Sequence, residues 1–239
     1  YPVEIQALWH ATLGLLAGID PAGGQTWRRL AQQVGRSFSE LFWDPDLGYL
    51  VDCRHCDPGV PARRAEADDA LRPNQLFAVT LKAVVDPAIM ASVVKACSEL
   101  IVAGAVRSLA DRPVRRPLAV VREGQLLNDP RHPYQGHYLG DEDSRRKPAY
   151  HNGTAWTWLF PVFCEAWVAA FGPAVLPTAR CWLESGLRLM GSGCLEQVPE
   201  ILDGDAPHTP RGCDAQAWGI SELLRVWHLF HPDEVAAES

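Results

Sequence analysis

Residues 199–219, PEILDGDAPHTPRGCDAQAWG, set Glu200, Asp203 and Asp205 beside His208, Arg211, Gln216 and Trp218, in a stretch whose prolines forbid a regular helix over its first half. Cleaving a glycosidic bond takes two carboxyl groups, one on each side of the bond. Glu196, Glu200, Asp203 and Asp205 are the acids this region offers, and spacing alone does not choose among them. A general base must stay ionised while reaching a water, which calls for polar neighbours such as His208, Arg211 or Gln216. The same acids would equally serve to cap the following helix and solvate a loop.

Two further stretches have the same character. In ADDALRPNQLFAV (67–79), Arg72 and Asn74 straddle Pro73 at a helix start, with Asp68 and Asp69 just before. The acids and the proline suit a helix cap, but an arginine there opposes the helix dipole and calls for an anionic partner or a ligand. In AYHNGTAWTWLFPVFCEAW (149–167), His151 precedes a helix beside Tyr150, Gly153 and Trp156, and could bond a sugar hydroxyl or simply cap the helix. Trp9, Trp156, Trp158 and Trp218 lie beside polar residues, which suits stacking on sugar rings, whereas Trp27, Trp167, Trp182 and Trp227 fall within amphipathic repeats and read as core.

The elements that must hold these residues are helical. Trp27, Leu30, Ala31, Val34, Phe38, Leu41 and Phe42 share one helix face, and the spacing predicts helices over 3–17, 25–42, 73–85, 88–103, 154–171, 175–190 and 214–230, with little sheet. Connections alternate between short (18–24, 86–87, 172–174) and long (43–72, 104–153, 191–213). In antiparallel helix pairs this alternation gathers every long loop on one face, and loops beyond about 12 to 15 residues are usually functional. The expected fold is all-α, a partial α/α toroid of antiparallel helix pairs in one domain spanning 1–239, with one elaborated face.

Composition narrows the function. A net charge of −7 disfavours a nucleic-acid groove, and 47% hydrophobic with 21% charged residues is ordinary for a folded chain in water. No apolar run nears the roughly 18 to 20 residues a spanning helix needs. Seven cysteines, an odd number, favour reduced thiols and a cytoplasmic location. Cys53 and Cys56 flank His55, but no second metal-ligand pair answers them, so neither a metal nor a cofactor is expected. The chain starts at Tyr1 and not at Met, which reads as a processed or truncated start.

Four blocks in order, PVEIQALW (2–9), LRPNQLFAV (71–79), YHNGTAWTWLFP (150–161) and PEILDGDAPHTPRGCDAQAW (199–218), resemble the C-terminal glucosidase domain of glycogen-debranching enzymes, the amylo-alpha-1,6-glucosidases. The resemblance implies an (α/α)6 barrel, an α-glucan partner such as glycogen or a limit dextrin, and inverting hydrolysis of an α-1,6-linked glucose. It places the general base on Glu200. Arg72, Asn74, His151, Trp156, Asp203, Gln216 and Trp218 are expected to line the glucose site, with Trp9 and Asp69 as further substrate contacts. The family's general acid lies in a Trp-Met-Asp segment shortly before the VEI block, so the resemblance puts it, and the N-terminal part of the same domain, ahead of Tyr1. The chain alone is therefore expected to lack turnover. Asn152, Ala155, Thr157 and Gly219 depart from the family's usual residues, and the loop 112–130 looks longer. A carbohydrate-binding or structural fragment, or an α-glucosidase of another linkage, are the competing readings.

Overall fold

The computed structural model describes residues 1–232. Helices dominate. Helices α1 (Val3–Ile19) and α2 (Gly24–Ser37) form a hairpin, closed by Asp20, whose carboxylate accepts from the backbone N–H of Ala22 and Gly23 and from Trp27 Nε1. A wide helical turn at Phe38–Phe42 then buries both of its phenylalanines. After a long excursion come the short α3 (Leu76–Thr80) and α4 (Pro87–Ser98), then α5 (Lys147–Tyr150), α6 (Leu159–Phe171), α7 (Leu176–Gly186) and α8 (Ala217–Phe230). Helix α4 starts sharply because Pro87 needs no N–H partner and Asp86 Oδ1 accepts from Ala88 and Ile89 at 2.8 and 3.1 Å.

Helix α6 is the hub, packing on α3, α4, α7 and α8. Its sequence LFPVFCEAWVAAF is apolar nearly all round, as a helix surrounded by others must be, and Leu159 to Cys164 are all buried. Phe163 is fully buried against Trp167 and Trp182. Phe163→Ala is expected to lower stability by about 3–5 kcal/mol through lost burial and the cavity left behind, read as a fall in the urea midpoint at unchanged slope.

The sequence reading missed a five-stranded antiparallel sheet, in the order Pro210–Arg211, Ile201–Leu202, Ala155–Trp156, Ala105–Arg107, Ile101–Val102. It changes three boundaries. The helix expected to run to 103 ends at Ser98, and Ile101–Val102 turns back on Ala105–Arg107 through Gly104, at φ +78°. The helix expected from 154 begins at Leu159, because Ala155–Trp156 is a strand. The helix expected over 73–85 is a tight turn, Pro73–Gln75, running into α3 and ending at Thr80. Strands of two or three residues are too short to show alternation, which is why periodicity passed over them. At the remaining boundaries α1 runs to Ile19, α8 starts at Ala217, and α7 passes into a tighter turn over Leu187–Gly191.

This sheet ties the long loops together. Its central strands put Trp156 opposite both Ile201 and Val106, so the segments 101–107, 150–158 and 199–211 meet at one place.

Candidate active site

That meeting point borders a cavity of about 540 Å³. One wall carries polar groups from the start of α1, from 52–55 and from 68–74, and the opposite wall is aromatic. Arg72 is held extended (φ −128°) by the following Pro73, and its side chain crosses between the walls. Its Nη1 donates to the carbonyls of Ser108, at 3.1 Å, and of His151, while Nη2 donates to Asn152 Oδ1 at 2.8 Å. The anionic partner expected for this arginine is Asp52, whose Oδ2 lies 3.6 Å from Nε. Asn74 Nδ2 donates to the other oxygen of Asp52 at 2.9 Å.

The aromatic wall is a chain of contacts. Phe77 stacks on Trp158, Trp158 on Trp218 with centroids 5.4 Å apart, and Trp218 meets Trp156 edge-on. His151 lies parallel to Trp156, 7° between planes and 5.4 Å between centroids. Trp156 is itself buried, its Nε1 donating to the Tyr150 carbonyl at 3.1 Å, whereas Trp218, 43% exposed at the first turn of α8, presents open ring surface. Burial, and then the positive charge of Arg72, push the His151 imidazole below its usual pKa, against the charge of Glu200. It is therefore neutral at pH 7 and able both to donate and to accept.

Glu200 sits behind this wall, only 5% exposed. The strand that follows it pairs with Ala155–Trp156, and its own N–H donates to Cys213 O at 2.8 Å. Its carboxylate is fixed at both ends: Tyr150 Oη donates to Oε1, and the backbone N–H of Cys213 donates to Oε2 at 2.9 Å. Gly212, at φ +71°, allows that approach, since a Cβ there would run into Oε2. Tyr150 connects Glu200 to the cavity, its ring meeting His151 at 4.9 Å and Trp156 at 4.7 Å.

Of the residues expected from sequence, Arg72, Asn74, His151, Trp156 and Trp218 line the cavity together, and Glu200 is joined to it through Tyr150. The others stand elsewhere. Asp203, 2% exposed, accepts from the Tyr138 N–H at 2.8 Å and from Arg211 Nε and Nη2 at 3.1 and 3.0 Å, a buried clamp between two loops. Asp69 accepts from the backbone N–H of Arg115 and Arg116, anchoring the loop 112–130. Burial raises the pKa of Asp69, but these N–H groups outweigh it and hold the carboxyl below its usual range. Gln216 is the N-cap residue of α8 and makes no side-chain capping bond, and Trp9 stands 44% exposed on α1; neither lines the cavity.

Sequence reasoning missed Glu4 and Asp52, both in the cavity wall. Glu4 looked like an acid in a helix's first turn, and Asp52 lies in the apolar run GYLVDC, where nothing marks it. Backbone pairing brings them together: Val3 N–H donates to Asp52 O at 2.9 Å, and Pro2 bridges Cys53. Among the described residues no group of three or more His, Cys, Asp or Glu side chains is placed to hold a metal ion, and Cys53 and Cys56 are free thiols. No described helix is long and apolar enough to cross a membrane.

An aromatic wall facing hydrogen-bonding side chains, with a buried and doubly fixed carboxylate behind it, suits a ligand that has an apolar face and several polar groups. The family model for Amylo-alpha-1,6-glucosidase matches residues 1–225, and the chain belongs to that family, as a glucosidase domain of the debranching kind. No curated protein matches the chain.

Proposed function

We propose that this chain is part of a glycoside hydrolase that removes α-1,6-linked glucose at the branch points of glycogen or a dextrin, with inversion, and that it supplies the general base, Glu200. The observation that carries this is the fixing of Glu200. Tyr150 and the Cys213 N–H each hold one carboxylate oxygen, leaving each a further lone pair for a water, beside a cavity whose stacked tryptophans suit a glucose ring. Inversion needs a second carboxyl roughly 6.5 to 9.5 Å away to protonate the leaving oxygen. The resemblance assigns that role to the segment before Tyr1.

A partial toroid fits the packing. Helix α1 exposes Ile5, Leu8, Trp9, Leu15 and Ile19, an apolar face at helical spacing that a preceding helix of the same domain would cover. Trp9 belongs to this face, which gives it a packing role in this reading.

The test is the anomer released. The protein in which this chain is joined to its preceding segment is expected to free β-glucose first from isomaltose-type branches, seen by proton NMR before mutarotation, and to leave α-1,4 and trehalose-type linkages intact. First release of α-glucose would sink the inverting assignment. If the 239-residue chain alone cleaved isomaltose, the acid would have to lie within it. Asp52 would then be the candidate, since Asp69 and Asp203 are consumed by their structural partners.

A further inference from the structure

The ionisable side chains along the cavity's polar wall are Glu4, Asp52, His55, Asp68 and Arg72, and their partners divide them. Asp68 is buried and fully engaged, with Oδ2 on His55 Nε2 at 3.1 Å and Oδ1 accepting from the Ala70 N–H at 2.9 Å. Arg72 commits its terminal nitrogens to Ser108, His151 and Asn152. Asp52 accepts one short hydrogen bond, from Asn74, and its side chain is 15% exposed, toward the cavity it lines. Glu4 Oε2 is buried with no hydrogen-bond partner among the described residues. A buried carboxylate oxygen without a partner is costly, and Glu4 lines the cavity, so a donor brought in beside its carboxyl group would relieve that cost.

We infer that Glu4 and Asp52 form a carboxyl pair that takes up one hydroxyl of a terminal glucosyl unit between them, orienting the ring without entering the bond-breaking step. The inference rests on the glucan reading above and deepens it.

The chemistry follows from crowding two acids in a poorly hydrated place. Burial is the main cause that pushes the Asp52 carboxyl up to about 7; Arg72 and Asn74 oppose it, and the charges of Glu4 and Asp68 add to it. Burial also raises Glu4, opposed by Arg72 and the Tyr1 amino group. Glu4 lies in the first turn of α1, where the helix dipole favours an ionised side chain, so the proton the pair retains sits on Asp52. The pair then offers an O–H donor beside a carboxylate acceptor. A sugar hydroxyl, donor and acceptor at once, satisfies both. The titratable and charged groups facing the pair are the Tyr1 amino group and Cys53 along the bridged strands, His55 and Asp68 from the adjoining hairpin, Arg72 ahead of α3, Cys97 from α4, and His151 across the cavity.

The test uses the 239-residue chain and isomaltose, titrated by calorimetry from about pH 5.5 to about pH 8.5. Wild-type affinity is expected to fall about 10-fold as the pair loses its proton. Asp52→Asn, whose amide keeps a donor, should bind within about 3-fold of wild type at the acid end and lose the pH dependence, and Glu4→Gln should bind about 10-fold more weakly. A second readout needs no sugar. Asp52 has a folded pKa above its unfolded one, so it binds more protons folded, and stability falls as pH rises from about 4 to about 7; Asp52→Asn should flatten that fall in Tm. Wild-type binding with both variants unchanged, or an Asp52→Asn Tm profile identical to wild type, overturns the pair while leaving the glucan reading intact. A wild-type chain that binds no isomaltose overturns the glucan reading and this contact with it.

Discussion

Glu200→Gln, made in the protein that joins this chain to the segment before Tyr1, should lower hydrolysis of α-1,6-linked glucose by about 10²- to 10⁴-fold, the contribution of a positioned general base. The substitution keeps the shape, with the amide oxygen accepting from the Cys213 N–H and the amide NH2 donating to Tyr150 Oη, but removes the charge that withdraws a proton from water. KM should move little, because Glu200 stands behind the cavity wall and makes its contribution to the attacking water, not to the bound sugar. Tyr150→Phe gives the companion result. Losing one hydrogen bond to a charged group, worth about 1.5–3 kcal/mol, should lower kcat by about 10- to 100-fold while the aromatic packing on His151 and Trp156 remains. An equal loss in kcat for Glu200→Gln and for a substitution far from the cavity would show that folding, and not base catalysis, was lost.

The second large effect is on stability. Arg211→Ala should cost about 3–5 kcal/mol, because it leaves the Asp203 charge buried with only the Tyr138 N–H as a strong partner. Asp203→Asn together with Arg211→Met, which removes both charges, should recover much of that loss in a urea titration. If Arg211→Ala were neutral for stability yet abolished sugar binding, Asp203 would be a substrate residue, as the family resemblance implies, and not a clamp.

What the sequence made legible follows from the length scale of each signal. Helices of eleven residues or more, such as α6 and α8, repeat their apolar spacing several times and were located, with one end of α6 five residues and one end of α8 three residues out. The sheet was illegible because its strands are two or three residues long and are defined by partners up to about fifty positions away, as where Val106 meets Trp156 and Trp156 meets Ile201. Site residues followed the same rule. Arg72, Asn74, His151 and Trp218 announce themselves as polar or aromatic residues at helix starts, and all four line the cavity. Asp203 and Asp69 carry the same local signal but spend their oxygens on neighbouring loops, a distinction that only the fold makes. Asp52 failed the other way. Its environment is built by Val3, Asn74 and Arg72 from two other segments, and a single acid in an apolar run gives no hint of them.

The central proposal is that Glu200 is the base of an inverting pair, and α-D-glucosyl fluoride isolates that role, because fluoride leaves without a proton donor. The 239-residue chain is expected to release fluoride and β-glucose from it, to lose that activity in Glu200→Gln, and to leave isomaltose intact. Fluoride release that survives Glu200→Gln, or α-glucose as the first product, would contradict the account.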